Sequence, residues 1–223
     1  MDWQALSLSL WLAAWTVALL LPVSIFAGRF LAYHRFQGKA VIEAMVMLPL
    51  VLPPTVLGFY LLTSFGRGSV LGEIWQGLFG HTLAFSFEGL VLASVLVNLP
   101  FAIQPAQRGF EAVPREVREA ALCCGLSPWR RLWKIDLPMA WPGVLTAMVL
   151  TFAHTLGEFG VVLMVGGSIP GETKTIAISI YDRVQAFDER SAASMSAFLV
   201  VLSLTTIVLT VALSARIGRR LSQ

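Results

Sequence analysis

Charged residues fall along this chain in clusters. Between them lie five long windows without Asp, Glu, Lys or Arg: Trp3 to Gly28, Ala44 to Gly66, Gly89 to Gln107, Leu137 to Gly157 and Ser191 to Ala215. Each holds at least 19 residues. A helix rises about 1.5 Å per residue and needs roughly 20 residues to cross the hydrocarbon of a bilayer. The pattern therefore predicts an all-α integral membrane protein with five transmembrane helices. Two shorter uncharged windows, Ile74 to Phe87 and Phe159 to Gly171, fall below that length and are rich in Gly, Ser and Thr. They predict interfacial or re-entrant segments.

Composition agrees. Apolar residues make up 57% of the chain and charged residues 13%, against about a quarter charged in soluble domains, and the mean hydropathy is +0.75. Five spans put the termini on opposite sides, and the basic residues select the orientation. One face collects Arg29, Arg35 and Lys39, then Arg108, Arg115, Arg118, Arg130, Arg131 and Lys134, then Arg216, Arg219 and Arg220, twelve of the 16 Lys and Arg residues. The other holds Arg67, Lys174, Arg183 and Arg190. The N-terminus is thus expected outside and the C-terminus in the cytoplasm. No basic stretch precedes the first window, and further spans follow it, so it predicts a retained helix rather than a cleaved signal peptide.

The net charge of +3 reflects this inside bias, and no basic surface interleaved with aromatic residues suggests nucleic acid. Cys123 and Cys124 are adjacent and lack a second pair for zinc, so they predict small packing residues and no metal site. Without an internal repeat or a linker, the chain is expected to form one integral domain over residues 3–217, with a charged cytoplasmic loop at 111–138.

That loop has its own punctuation. Pro114 can start a helix, PREVREAALCC can continue it, and Gly125 can close it with a left-handed cap. Ser127 and Pro128 repeat the start signal, which predicts a second short helix with Trp129, Leu132 and Trp133 on one side. Residues 119–138, EAALCCGLSPWRRLWKIDLP, read EAA, three residues, Gly, nine residues, then I-x-L-P. This pattern resembles the cytoplasmic coupling loop in permease subunits of ATP-binding-cassette (ABC) importers. In that family the loop docks in a groove on the ATPase. The resemblance implies the same for Glu119, Ala120, Ala121 and Gly125, with Pro138 closing the motif. Two small alanines permit close approach by a partner. Glu119 either accepts hydrogen bonds there or forms an i,i+4 pair with Arg115 on a solvated face.

The likeness extends along the chain. LPLVLPPTVLGFYLL (Leu48 to Leu62), LGEFGVVLMVGGSIPGETKTIAISIY (Leu156 to Tyr181) and FQGKA (Phe36 to Ala40) are similar to stretches of molybdate permeases. Sulfate and tungstate permeases share much of that framework. Some relatives carry an additional N-terminal span absent from this sequence, which leaves the five-helix core of a type I importer. The resemblance implies a homodimer around a central pathway in the cell inner membrane. It also implies two cytoplasmic ATPase subunits that bind ATP and magnesium, a periplasmic oxyanion-binding protein, and no cofactor on this chain.

An oxyanion limits how the spans can work. Stripping water from a dianion costs on the order of tens of kcal/mol in a low-dielectric interior, so a wet cavity is needed. Pro49, Pro53 and Pro54 each remove a backbone donor, and Asn98 beside Leu99 and Pro100 is expected to give a second polar break. These positions line the pathway or simply kink packed helices. His154 and Glu158, four apart on the fourth span, share a face and can bond to each other. A bare carboxylate repels an anion. The pair, with flexible Gly157 and Gly160, is therefore expected to brace a helix break near the outer gate, the alternative being a packed histidine and a snorkelling glutamate.

Other classes lack their residues. There is no GxxxxGK[ST] phosphate loop, so the chain is not expected to be the ATPase. An intramembrane enzyme would want a GxSxG turn, an HExxH pair or paired intramembrane aspartates, none of which occurs. A passive anion channel would not need the EAA loop.

Overall fold

The computed structural model describes residues 1–221, with side chains through Val208 and at Ala212. Every regular element among these residues is helical, as expected where hydrocarbon leaves the backbone no water to bond. Asp2 caps the first helix, α1 (Trp3–Tyr33), by accepting from the Ala5 N–H at 3.0 Å. Its 31 residues reach about 46 Å, more than the hydrocarbon needs, so its ends project beyond the core.

The second window is a broken element. α2 (Lys39–Val51) and α3 (Pro54–Phe65) meet at a bend of 105°. The cause is local: a proline disfavours the helical region for the residue before it. Two in succession hold both Leu52 (ψ 139°) and Pro53 (ψ 135°) extended. α4 (Val70–Phe79) follows, capped by Ser69 and closed by Gly80.

α5 (Phe87–Glu111) corrects one expectation. It runs unbroken through Asn98, Pro100 and Pro105. An isolated proline frees one carbonyl, whereas unwinding the helix in the membrane would free several.

Beyond α5 come α6 (Arg115–Cys123) and α7 (Pro128–Arg131), then one π-helical turn (Leu132–Asp136) and α8 (Leu137–Gly157). The second loop helix is therefore the foot of the fourth span and not a separate unit: Pro128–Gly157 forms one 30-residue candidate span. Its apolar residues also divide differently from expectation. Leu132 is buried, while Trp129 and Trp133 stay exposed and Trp129 stacks on Phe26 of α1.

α9 (Gly160–Gly166) is short and largely buried, α10 (Ile176–Gln185) follows, and α11 (Glu189–Leu221) ends the described chain. Among the described residues, four helices are long and apolar enough to cross a membrane, five if the bent pair counts as one span. Arg216, Arg219 and Arg220 lie on α11, with side chains outside the described residues.

Lipid tails give helices no hydrophobic reason to associate, so close packing by small residues must hold the bundle. A Cβ at Gly143 of α8 would lie 2.6 Å from both Gly109 Cα and Pro105 O of α5, and one at Gly28 of α1 would lie 3.0 Å from Gln107 N. Around these crossings Ile25, Ala106, Phe110, Leu132, Ala140 and Val144 form a buried core. Trp11, Trp15 and Phe26 on α1 and Val200, Val201 and Leu204 on α11 remain exposed, as suits lipid-facing positions.

Polar contacts also tie the two ends. At one, Ser9 Oγ accepts from the Ile176 N–H and the Ser179 hydroxyl donates to Asp2, both at 2.8 Å. Burial pushes the Asp2 carboxyl up, but the Ala5 N–H, Ser179, Lys174 and Arg183 outweigh it and hold it below its ordinary value. At the other end Arg29, Arg118 and Arg131 gather, which agrees with their assignment to one face.

Replacing Gly143 by Val should cost about 1–3 kcal/mol through overpacking of the α5/α8 crossing. Gly77→Ala, in open space on α4, should be neutral or slightly stabilising. Thermal unfolding of the two variants in detergent checks this, and equal midpoints would contradict it.

Candidate functional site

The break after the fourth span gathers most of the expected pathway residues. α8 stops at Gly157, Glu158 is extended (ψ 125°), and α9 begins at Gly160. The new helix start leaves backbone donors exposed, and Glu158 Oε1 accepts from the Val161 N–H at 3.0 Å. The side chain is 9% exposed, so it does not snorkel.

The expected bond between His154 and Glu158 is not made. His154 Nε2 lies 3.8 Å from Glu158 Oε2, because each group has another partner. The imidazole stacks on Phe101 with ring centres 4.2 Å apart, and its Nδ1 donates to Asn98 Oδ1 at 3.1 Å. Asn98 Nδ2 donates to Ser94 O at 2.8 Å and to Thr155 Oγ1 at 3.1 Å. Thr155 in turn donates to Thr151 O. Asn98 is thus a fully buried bridge between α5 and α8, where sequence alone suggested a break.

The prolines of the α2/α3 bend meet this region through α9. A Cβ on Gly160 would sit 2.7 Å from Pro54 Cβ, and one on Gly58 of α3 would sit 2.7 Å from Met164 Cβ. Gly160 is therefore small because Pro54 lies against it, which corrects the expectation of a flexible hinge. Gly157 has open space around it. Pro53 is the turn residue before α3. Two helix breaks, distant in sequence, are in van der Waals contact.

The 111–138 loop is the second candidate site. Gly125 adopts φ +71° and ends the α6 segment as expected. On α6 the two alanines diverge: Ala120 is exposed, but Ala121 is 6% exposed and packed against its own chain. Glu119 forms the i,i+4 pair, accepting from Arg115 Nε at 2.6 Å with both side chains largely exposed. Pro138 lies in the first turn of α8, on the span itself. The exposed docking candidates are therefore Glu119, Ala120 and Gly125.

The chain matches, over residues 21–223, the family of binding-protein-dependent transport system inner membrane components. It belongs to that family of transport permeases.

The permease is 46% identical to the molybdenum transport system permease protein ModB of Azotobacter vinelandii, over 91% of this chain and 89% of the relative. To ModB of Escherichia coli K12 it is 37% identical, over 98% and 95%. A probable sulfate transport system permease protein, cysT of Zygnema circumcarinatum, is 31% identical over 87% of this chain and 68% of the relative. Among solved structures, a bacterial ABC transporter involved in alginate import superposes with a TM-score of 0.75 at 16% identity, over 96% of this chain and 78% of that one. The inward-facing MetNI methionine ABC transporter gives 0.71 at 15% identity, over 97% and 94%. These likenesses show that the permease has an ABC importer fold.

One cluster escaped the sequence reading. Asp136, the x of I-x-L-P, is completely buried, and its Oδ2 accepts from Arg29 Nε of α1 at 2.8 Å, with Arg131 Nε at 3.7 Å. Arg118 of α6 lies over the Tyr33 ring of α1, 3.3 Å from its centre. The available signal was Asp136 itself, the lone acid between Gly125 and the end of the motif. No group of His, Cys, Asp and Glu among the described residues could hold a metal ion.

Removing the Glu158 acceptor should leave the buried Val161 N–H unpaired. Glu158→Ala should then cost about 1–3 kcal/mol, while Glu158→Gln, which keeps an acceptor oxygen, should retain most of the stability. Denaturation of the two purified permeases distinguishes these outcomes, and equal losses would remove the cap from the account.

Proposed function

We propose that this permease carries molybdate across the cell inner membrane as the spanning subunit of an ABC importer. The carrying observation is the 46% identity to the Azotobacter vinelandii molybdenum permease along 91% of the chain. A sulfate or tungstate permease of the same family is the second reading, supported by the 31% identity to a probable sulfate permease.

In this reading two copies surround a central wet pathway, a periplasmic oxyanion-binding protein delivers the anion, and two cytoplasmic ATPase subunits bind ATP and magnesium. Hydrolysis belongs to those subunits, so this chain is no enzyme. The N-terminus lies outside and the C-terminus in the cytoplasm, a choice supported by the clustering of Arg29, Arg118 and Arg131 at one end of the bundle.

ATP binding draws the two coupling loops together and opens the pathway outward, and hydrolysis resets it. Glu119, Ala120 and Gly125 meet the ATPase, with Ala121 and Pro138 setting the loop on its own span. The outer gate is formed where the Pro53–Pro54 bend meets the Gly157 to Gly160 break, Pro54 lying against Gly160. Asn98, His154 and Glu158 brace that break. Glu158 is occupied by the α9 N-terminus, which keeps its charge from serving as an anion ligand.

Reconstituted with its ATPase and binding protein, the permease should take up molybdate in an ATP-dependent manner that excess sulfate inhibits weakly. Preferential sulfate uptake would favour the second reading. In the same assay Ala120→Trp and Gly125→Val should abolish most uptake while membrane insertion survives. The valine also pays roughly 1 kcal/mol for the left-handed backbone. Wild-type coupling in both variants would exclude the loop as the docking element.

The native thiols test the orientation. Cys123 and Cys124 are exposed on the loop, so an impermeant maleimide should leave them unlabelled in sealed cells and label them after permeabilisation. Gly77→Cys, in a Cys123→Ser/Cys124→Ser background, should react from outside. The reverse pattern would invert the topology.

A further inference from the structure

We propose that Asp136 is a positioning residue that joins the coupling loop to the first span, so that the loop and α1 move as one body. This rests on the coupling role given to the loop above. The observations lie outside the EAA residues. Asp136 is the last residue of the π turn that leads the loop into α8, and its carboxylate is completely shielded from solvent. Arg29 reaches it from α1, across 107 positions of sequence, at 2.8 Å. Arg131 approaches from α7 at 3.7 Å. One carboxylate therefore faces cations from two parts of the fold.

A second contact joins the same bodies. Arg118 projects from α6, the docking helix, onto the face of Tyr33, and Arg29 also approaches that ring at 5.6 Å. The Trp129 ring stacks on Phe26, one turn before Arg29, with an interplanar angle of 11°. α6, α7 and the foot of α8 are thus all secured to the last two turns of α1.

Separation of these bodies would take Arg29 from the buried carboxylate and leave it only the longer 3.7 Å approach of Arg131, which is unfavourable. The join therefore resists hinging between loop and span. At its other end α1 is tied to α10 by Ser9 and to its first turn by Asp2. A displacement of the docking helix is carried by α1 to the opposite side of the membrane, alongside the route through α8.

The test uses the complex of permease and partner ATPase in lipid nanodiscs. Nitroxides are placed on native Cys123, with Cys124→Ser, and on His34→Cys at the end of α1. The variant Arg29→Met/Arg131→Met/Asp136→Leu replaces the whole buried ionic cluster by apolar side chains, an exchange that buried ion pairs and triads often tolerate. It should assemble and hydrolyse ATP near the wild-type rate. Its inter-label distance distribution should broaden, and the ATP consumed per anion imported should rise at least about fivefold, the low end of coupling between sites.

An unchanged distance distribution overturns the join. A broadened distribution with an unchanged ATP-to-anion ratio overturns its part in coupling. Should that variant fail to assemble, Tyr33→Leu leaves every charge in place, removes the surface under Arg118 and is judged by the same two readouts. A wild-type complex that imports no oxyanion defeats the proposed transport function, whereas the spin-label distances still decide the join.

Discussion

Backbone hydrogen bonding without water is the constraint on which this structure depends. In hydrocarbon, an unpaired peptide group costs several kcal/mol, so the chain must stay helical except where a neighbour satisfies what a break sets free. The permease breaks its helices at the Pro53–Pro54 bend and at Glu158 and supports each. The Pro53–Pro54 bend needs fewer partners because two donors are already missing. At Glu158 the side chain supplies the acceptor that the start of α9 requires. Contact between Pro54 and Gly160 then places one interruption against the other.

The same constraint explains the side chains around the breaks. Asn98 satisfies its own amide by bonding to Ser94, Thr155 and His154, so a polar residue inside the bundle becomes a cross-link between α5 and α8. His154 and Glu158 face each other but are held by different elements. Such a network ties α5, α8 and α9 into one unit. The exposed apolar faces of α1 and α11 are left to lipid.

Toward the other end, small residues and buried charge divide the labour. Gly28, Gly109 and Gly143 let α1, α5 and α8 approach closely, which gains dispersion contact where no hydrophobic effect operates. Asp136 then connects the loop to α1 through Arg29. Close packing fixes the separation of the helices, and the ion pair fixes which part of the loop lies against which span.

Much of this was legible because it is local. Window length predicts a span, consecutive prolines predict a bend, and Pro114 and Gly125 bound the docking helix by their own backbone preferences. The EAA pattern and the homology along the chain then indicate a transport permease. The cross-helix partners of Asn98, the contact of Pro54 with Gly160 and the burial of Asp136 were decided only by tertiary structure. Each depends on which residues meet across 56 to 107 positions of chain, or across two separate helix breaks. Helical periodicity assigns a residue to a face, but helix packing decides what that face meets.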